Sequence, residues 1–168
     1  CRFCQAGMLY RPVRERKVGT LLKLAEELCK NTGYDEVSLS SLSTGDYSCL
    51  PQLTRELNER LVPKRVSISL PSLRLDKPLS ESLEQTQKVR KSSLTFAPEA
   101  GSQRLRDVIN KGVTEEDLKR TAHDAFSGGW NAIKLYFMIG LPTETEDDLR
   151  GIMETARLVV SEYFAVPT

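Results

Sequence analysis

Two thiols separated by two residues, with an aromatic side chain between them, open the chain at Cys1-Arg2-Phe3-Cys4, and Gln5-Ala6-Gly7 follows as a small, flexible tail. Such a loop can present both sulfurs to one metal centre, and the same spacing also serves a redox dithiol or half of a zinc site. Asp46, Glu99 and Glu144 each sit in a short stretch with glycine: Thr44-Gly45-Asp46, Glu99-Ala100-Gly101-Ser102 and Gly140-Leu141-Pro142-Thr143-Glu144. Taken singly, an acidic residue there is a turn or capping residue and a glycine is a turn. Three such places beside a cysteine loop point to a ligand site.

The remaining reactive side chains read as structural. Cys29 falls on the apolar face of a predicted helix and is expected in the core. Cys49 reads as a small core or turn residue on the same rim as the cysteine loop. The sole histidine, His123, lies in a helix beside Ala122 and Phe126 and is expected at the surface, and Trp130 is expected to pack the last helix pair. With His123 read as a surface or structural residue, no candidate His-centred triad remains, which argues against ordinary hydrolase chemistry.

The elements that position these residues alternate in type. Tyr10 to Lys17 is a basic, irregular connector, and Val18 to Asn31 carries a helical stripe through Leu21, Leu22, Ala25 and Leu28 that stops at Gly33. Glu36–Ser43 reads as a strand and Thr44–Tyr47 as a turn. A helix opening near Pro51 carries Leu50, Leu53, Leu57 and Leu61. Arg65–Leu70 alternates as a strand, Leu79–Arg90 is a weaker helix, and Ser93–Ala97 is a strand followed by a turn and a short helix with Leu105, Val108 and Ile109. Gly112 breaks that helix. Thr114-Glu-Glu-Asp117 reads as a capping box for a helix ended by Gly128-Gly129. Ala132–Leu141 is apolar enough for a parallel strand covered on both faces, and Thr143–Glu146 is expected to cap a long last helix. Strand starts near 36, 65, 92 and 132 recur at roughly 30 residues or a little more, the length of a βα unit. The fold class is therefore α/β, a run of βα units in which a site forms where strands give way to helices.

Composition sets outer limits. A chain of 168 residues with 39% hydrophobic residues can bury one ordinary core, and a net charge of +1 spread along the sequence does not make a nucleic-acid surface by bulk electrostatics. No aromatic-interleaved basic stretch supports such a surface either. No apolar run approaches the roughly 20 residues of a membrane span. Four cysteines suit a reducing cytoplasm better than a disulfide scaffold.

These motifs, in this order, resemble the radical S-adenosylmethionine (SAM) enzymes. Cys1-Arg2-Phe3-Cys4 matches the last four positions of the family's C-x-x-x-C-x-aromatic-C signature. Thr44-Gly45-Asp46 stands where the family has G-G-E, departing in Thr and Asp. Pro98–Leu105 looks like the E-S-G-S-x-x-L segment of methylthiotransferase-like members, and Met138–Thr145 resembles the I-x-G-L-P-x-E-T strand end beside the adenine. Leu39–Tyr47, Phe96–Gly101 and Lys134–Gly140 are similar to cobalamin-domain-associated members.

The resemblance implies a six-unit partial (β/α) barrel, TIM-like, of which this chain would hold roughly four βα units. It implies a [4Fe–4S] cluster with Cys1 and Cys4 as ligands, and SAM bound through Phe3, Thr44, Gly45, Asp46, Glu99, Gly101, Ser102 and Gly140. Asp46 would accept the SAM ammonium and Glu99 the ribose hydroxyls. Reductive cleavage of SAM to a 5′-deoxyadenosyl radical, drawing on an electron donor such as flavodoxin or ferredoxin, would modify a substrate that the residues do not specify. Any cobalamin would belong to a domain upstream. The first cluster cysteine would lie four residues before Cys1, so these residues alone are expected to hold a cluster poorly and to expose sheet edges. Two other readings stay open: a C-x-x-C redox or metal-binding module on a βα scaffold, and an acid–base enzyme using Asp46 and Glu99 on a phosphorylated metabolite.

Overall fold

The computed structural model describes residues 1–71, 73, 75 and 94–166. In chain order these form α1 (Ala6–Leu9), α2 (Val18–Thr32), β1 (Glu36–Ser38), a 3-10 turn at Thr44–Asp46, α3 (Leu50–Leu61), a second 3-10 turn at Val62–Lys64 and β2 (Ser67–Ser69). There follow β3 (Leu94–Glu99), α4 (Gln103–Val108), α5 (Glu115–Ser127), β4 (Ile133–Phe137) and α6 (Glu146–Ala165). The helix expected over Leu79–Arg90 lies outside the described residues. The chain divides into two units, one made of residues 10–71 with Leu73, the other of Cys1–Leu9, Leu75 and residues 94–166.

In the first unit β1 and β2 pair in parallel, Val37 opposite Ile68 and Ser38 opposite Ser69. Leu53, Leu57 and Leu61 recur every fourth residue, so they share one face of α3, and all are buried together with Leu22 and Ala25 of α2 and Ile68 of β2. Gly33 ends α2 at φ +73° and returns its N–H to Cys29, 2.9 Å away. Cys29 itself is half-buried rather than in the core. β1 stops at Ser38 instead of running to Ser43. The reason is local: Thr44 Oγ1 donates to the Leu39 carbonyl at 2.8 Å and the Ser43 N–H donates to Ser41 Oγ at 3.2 Å, bonds that compete with a ladder. The basic connector is tied down as well, with Tyr47 Oη donating to the Arg16 carbonyl at 2.8 Å and the Ser48 N–H to the Glu15 carboxylate at 3.0 Å. The Ser48 hydroxyl donates to the same carboxylate at 2.5 Å, and this bond, then the backbone one, holds the Glu15 carboxyl below its ordinary range.

The second unit is built on β3 and β4, parallel, with Leu94 opposite Ile133 and Phe96 opposite Leu135. Register shifts between Phe96 and Glu99, which pairs with Phe137. Pro98 has no N–H to give a ladder, so it falls in this irregularity, and the strand runs two residues beyond the expected Ala97. On β4, Ile133, Leu135 and Phe137 are half-buried while Lys134 and Tyr136 are exposed, so the strand alternates and is not covered on both faces. Ala122, Phe126 and Val159 form a core between α5 and α6, and Ala100, Leu105 and Ile109 form another around α4.

Helix starts follow side-chain capping. Thr114 and Asp117 make the expected box at α5, and α6 is capped by Thr145 with Asp148. The cap thus falls within the expected stretch Thr143–Glu146, at Thr145, while Thr143 takes φ +67° in the preceding turn.

The closest approach in this unit is between two glycines. A Cβ on Gly101 would meet the backbone nitrogen of Ile152 and lie 2.6 Å from the Gly151 carbonyl carbon. Gly101→Ala is therefore expected to destabilise by about 3 kcal/mol, lowering Tm by about 6–12 °C for a chain of this size. Gly19→Ala, facing open space in α2, should raise stability by about 0.5 kcal/mol. Thermal melts of the two variants test the pair, and equal effects would contradict the close packing.

Candidate functional site

Arg2 fastens the cysteine loop. Its N–H donates to the Ile109 carbonyl and its guanidinium to the Val108 carbonyl, both at 2.8 Å, using acceptors left free at the C-terminal end of α4. The Cys4 N–H turns back to the Cys1 carbonyl at 3.3 Å. Both thiols are free and exposed, and Phe3 between them is also exposed. The polypeptide thus anchors the loop through the residue between the sulfurs and leaves the sulfurs themselves unengaged.

Two residues past that anchor, Lys111 folds back. Asn110 at φ +54° and Gly112 at φ +64° flank it in a tight reversal, and its Nζ reaches Glu99 Oε1 at 3.3 Å. Both side chains keep only 18% of their exposure. Glu99 ends β3 at φ +71°, a conformation that costs a residue with a Cβ and that is held here by neighbours: its carbonyl takes the Met138 N–H at 2.8 Å. Ile109 and Lys111 thus connect the cysteine loop to the Glu99 carboxylate across nearly a hundred residues of sequence.

The segment after Glu99 is locked in place. Arg106, 2% exposed, donates to the carbonyls of Val113, Ala100 and Gly101 at 3.0–3.1 Å and to Gln103, and burial lowers its pKa. Thr155 Oγ1 adds a second bond to the Gly101 carbonyl at 3.1 Å. Ser102 Oγ accepts the Leu105 N–H at 3.1 Å, capping α4, and donates to Asp148. Asp148, buried at 3% exposure, also takes Arg104 and both the N–H and the hydroxyl of Thr145, each of the latter at 2.8 Å. The Arg104 guanidinium, then the Ser102 hydroxyl, hold its carboxyl far below the usual range. Gly140, at φ +88°, gives its N–H to Glu144 Oε2 at 2.7 Å, which closes the Gly140–Glu144 turn at the end of β4.

The second cluster of expected residues belongs to the other unit. Thr44 is buried, Gly45 half-buried and Asp46 exposed, in a 3-10 turn in which the Asp46 N–H donates to the Ser43 carbonyl at 3.1 Å. Cys49 is half-buried just before α3, with Sγ 3.7 Å from Ser48 Oγ. His123 is exposed, 3.2 Å from the buried Glu162, and Trp130 is 5% exposed.

The donor chemistry fits a thiophilic cluster and a polar nucleoside: two exposed thiols on one anchored loop, a carboxylate at a strand end, and glycine-lined turns. Among the described residues, no group of three metal-ligating side chains stands ready. Sequence reasoning missed Arg2, Lys111, Arg106 and Asp148. Only the Asn110-Lys111-Gly112 turn left a signal, since residues that adopt positive φ on either side of a lysine mark a reversal. No helix of the described residues is long and apolar enough to cross a membrane.

The sequence profile of the Radical SAM superfamily matches residues 1–156. An uncharacterised protein of Methanocaldococcus jannaschii is 40% identical over 162 residues, 96% of this chain and 35% of that protein. Ribosomal protein uS12 methylthiotransferases RimO of Caldanaerobacter subterraneus and of a Thermoanaerobacter species are 26% and 28% identical, over 90% and 92% of this chain and 36% and 37% of theirs. The chain spans about a third of the length of the curated relatives it matches.

Asp148 makes stability depend on pH in a stated direction. Because its folded pKa is depressed, its contribution is complete above the unfolded carboxylate value of about 3.9 and is lost as pH falls below that. Asp148→Asn should lower the urea midpoint at neutral pH, with the gap to the parent closing as the pH is taken down past 4. A gap that stays constant across the titration would show that the charge is not what Asp148 contributes.

Proposed function

The chain belongs to the radical SAM superfamily of enzymes, and on that premise we propose that it forms part of a partial (β/α) barrel whose strand ends hold a [4Fe–4S] cluster and SAM. Cys1 and Cys4 are two of the three thiolate ligands in this reading, the third coming from outside these residues. Phe3 packs near the adenine, Asp46 with Thr44 and Gly45 receives the SAM ammonium, and Glu99 receives the ribose hydroxyls. Gly45 and Gly140 allow the backbone to approach the nucleoside closely, whereas the side-chain position of Gly101 is taken up by the backbone of α6.

The observation that carries the reading is the pair of contacts at Ile109 and Lys111. One pins the cysteine loop through Arg2, and the other orients the Glu99 carboxylate. A cluster loop and a ribose acceptor that must serve one cofactor are thereby tied to adjacent turns of the same unit. The strained backbone at Glu99 further restricts where its carboxylate can point, which favours a preorganised acceptor. The Ser102 hydroxyl is engaged with Asp148 and Leu105, so its part in binding falls to the backbone.

Held by Cys1, Cys4 and Glu99, the cluster and SAM would supply one-electron cleavage of a carbon–sulfur bond and hydrogen abstraction from a substrate. The protein's task is to hold the sulfurs and the ribose at fixed separation and keep water away. An electron donor of the flavodoxin or ferredoxin kind would deliver that electron.

The test is anaerobic iron and sulfide reconstitution of the longest natural polypeptide containing this sequence, followed by dithionite and SAM, with 5′-deoxyadenosine as the readout. Product is expected, and Cys4→Ala should abolish it together with the cluster absorbance. Glu99→Ala should retain the cluster while weakening SAM binding about tenfold or more, the loss of a charged acceptor. Uptake of zinc in place of iron, or iron without SAM cleavage, would overturn the proposal in favour of a metal-binding or redox scaffold.

A further inference from the structure

Within the serine-rich loop after β1, the Ser43 hydroxyl is the exception. Ser41 Oγ and Thr44 Oγ1 are 3.2 Å apart, and Thr44 also donates to the Leu39 carbonyl at 2.8 Å. Ser43 Oγ alone, among the described residues, is a buried side-chain oxygen with no hydrogen-bond partner. A hydroxyl shut away without a partner weakens a fold, because it forfeits water and gains nothing, so proteins seldom retain one. Alanine would serve the loop better if structure were the only demand on this position. Ser43 as a whole residue is only half-buried, so its side chain lies at the edge of the loop and not in a sealed core.

The backbone ties this oxygen to a residue already placed in the site. The Asp46 N–H donates to the Ser43 carbonyl at 3.1 Å and the Tyr47 N–H to the Thr44 carbonyl at 3.2 Å, so Ser43 and Asp46 stand at the two ends of one closed turn. Resting on the reading of Asp46 as the acceptor for the SAM ammonium, we infer that Ser43 is a further SAM-binding residue whose hydroxyl bonds the amino-acid end of the cofactor. A hydroxyl both donates and accepts, so it suits the zwitterionic ammonium and carboxylate there. Asp46 supplies the charge and Ser43 the direction. Binding then satisfies the one orphaned oxygen of the loop.

The experiment uses the reconstituted, cluster-loaded parent and its Ser43→Ala and Ser43→Cys variants, the latter close in shape but a weak hydrogen-bonding group. Equilibrium dialysis with SAM and with 5′-methylthioadenosine, which lacks the amino-acid moiety, is run beside thermal melts. Both variants are expected to bind SAM several-fold more weakly, to bind 5′-methylthioadenosine as the parent does, and to melt at or above the parent's Tm. Unchanged SAM affinity would overturn the inference, as would equal weakening for both ligands or a loss of affinity that tracks a fall in Tm. If the parent itself bound no SAM, the reading of the whole site would fall and this inference with it. A parent that binds SAM with variants that bind it equally well removes Ser43 alone.

Discussion

The contact of Gly101 with Gly151 governs the unit that carries the cysteines. With no side chain on either residue, the backbone of the β3–α4 loop lies directly on α6. That closeness lets short side chains work across the gap. Thr155 reaches the Gly101 carbonyl, and Asp148 reaches Ser102 and Arg104. A methyl group at either glycine would push the loop outward and break the bonds that the short side chains of Thr155 and Ser102 make across the gap. Close-packed backbone leaves no slack.

Rigidity here has a use one residue earlier. Glu99 holds a left-handed backbone that would relax if the loop beyond it were free, and it does not relax because Arg106, Thr155 and Asp148 fix the carbonyls of Ala100 and Gly101 and the hydroxyl of Ser102. Burial of Arg106 among carbonyls and of Asp148 among hydroxyls and a guanidinium is the expensive part of the arrangement. It is tolerable because each charge meets several hydrogen-bonding groups in good number. The strain is thus stored at the carboxylate and balanced in the segment behind it.

Much of this architecture was legible and some was not, for physical reasons that differ by residue. The stripes of α2, α3, α5 and α6 follow from burial of one helix face, and periodicity reports burial directly. Strand ends were misjudged where side chains outcompeted the ladder, as at Leu39–Thr44, or where Pro98 forced an irregular register and the strand ran on regardless. The cysteine pair, Glu99 and the glycine turns were visible because their types are unusual where they stand. Arg2 and Asp148 were not: an arginine and an aspartate in ordinary polar positions become special only once distant carbonyls and hydroxyls arrive beside them, and no local pattern encodes that arrival, while for Lys111 the flanking Asn110 and Gly112 mark only the reversal and not its partner.

The cysteine loop shows how the division of labour works. A metal ligand must be presented without being spent, since a thiol already bound within the protein has to be released before it can coordinate. In the proposed site the loop would meet this by hanging from Arg2, whose side chain and N–H together take two neighbouring carbonyls at the end of α4. Helix ends always leave such carbonyls unsatisfied, so the anchor costs the fold no bond it was already making. Replacing Arg2 by a residue without the fork would leave the backbone bond but free the loop to pivot about it. The sulfurs would keep their chemistry and lose their separation from Glu99, on which the site proposed across both would depend.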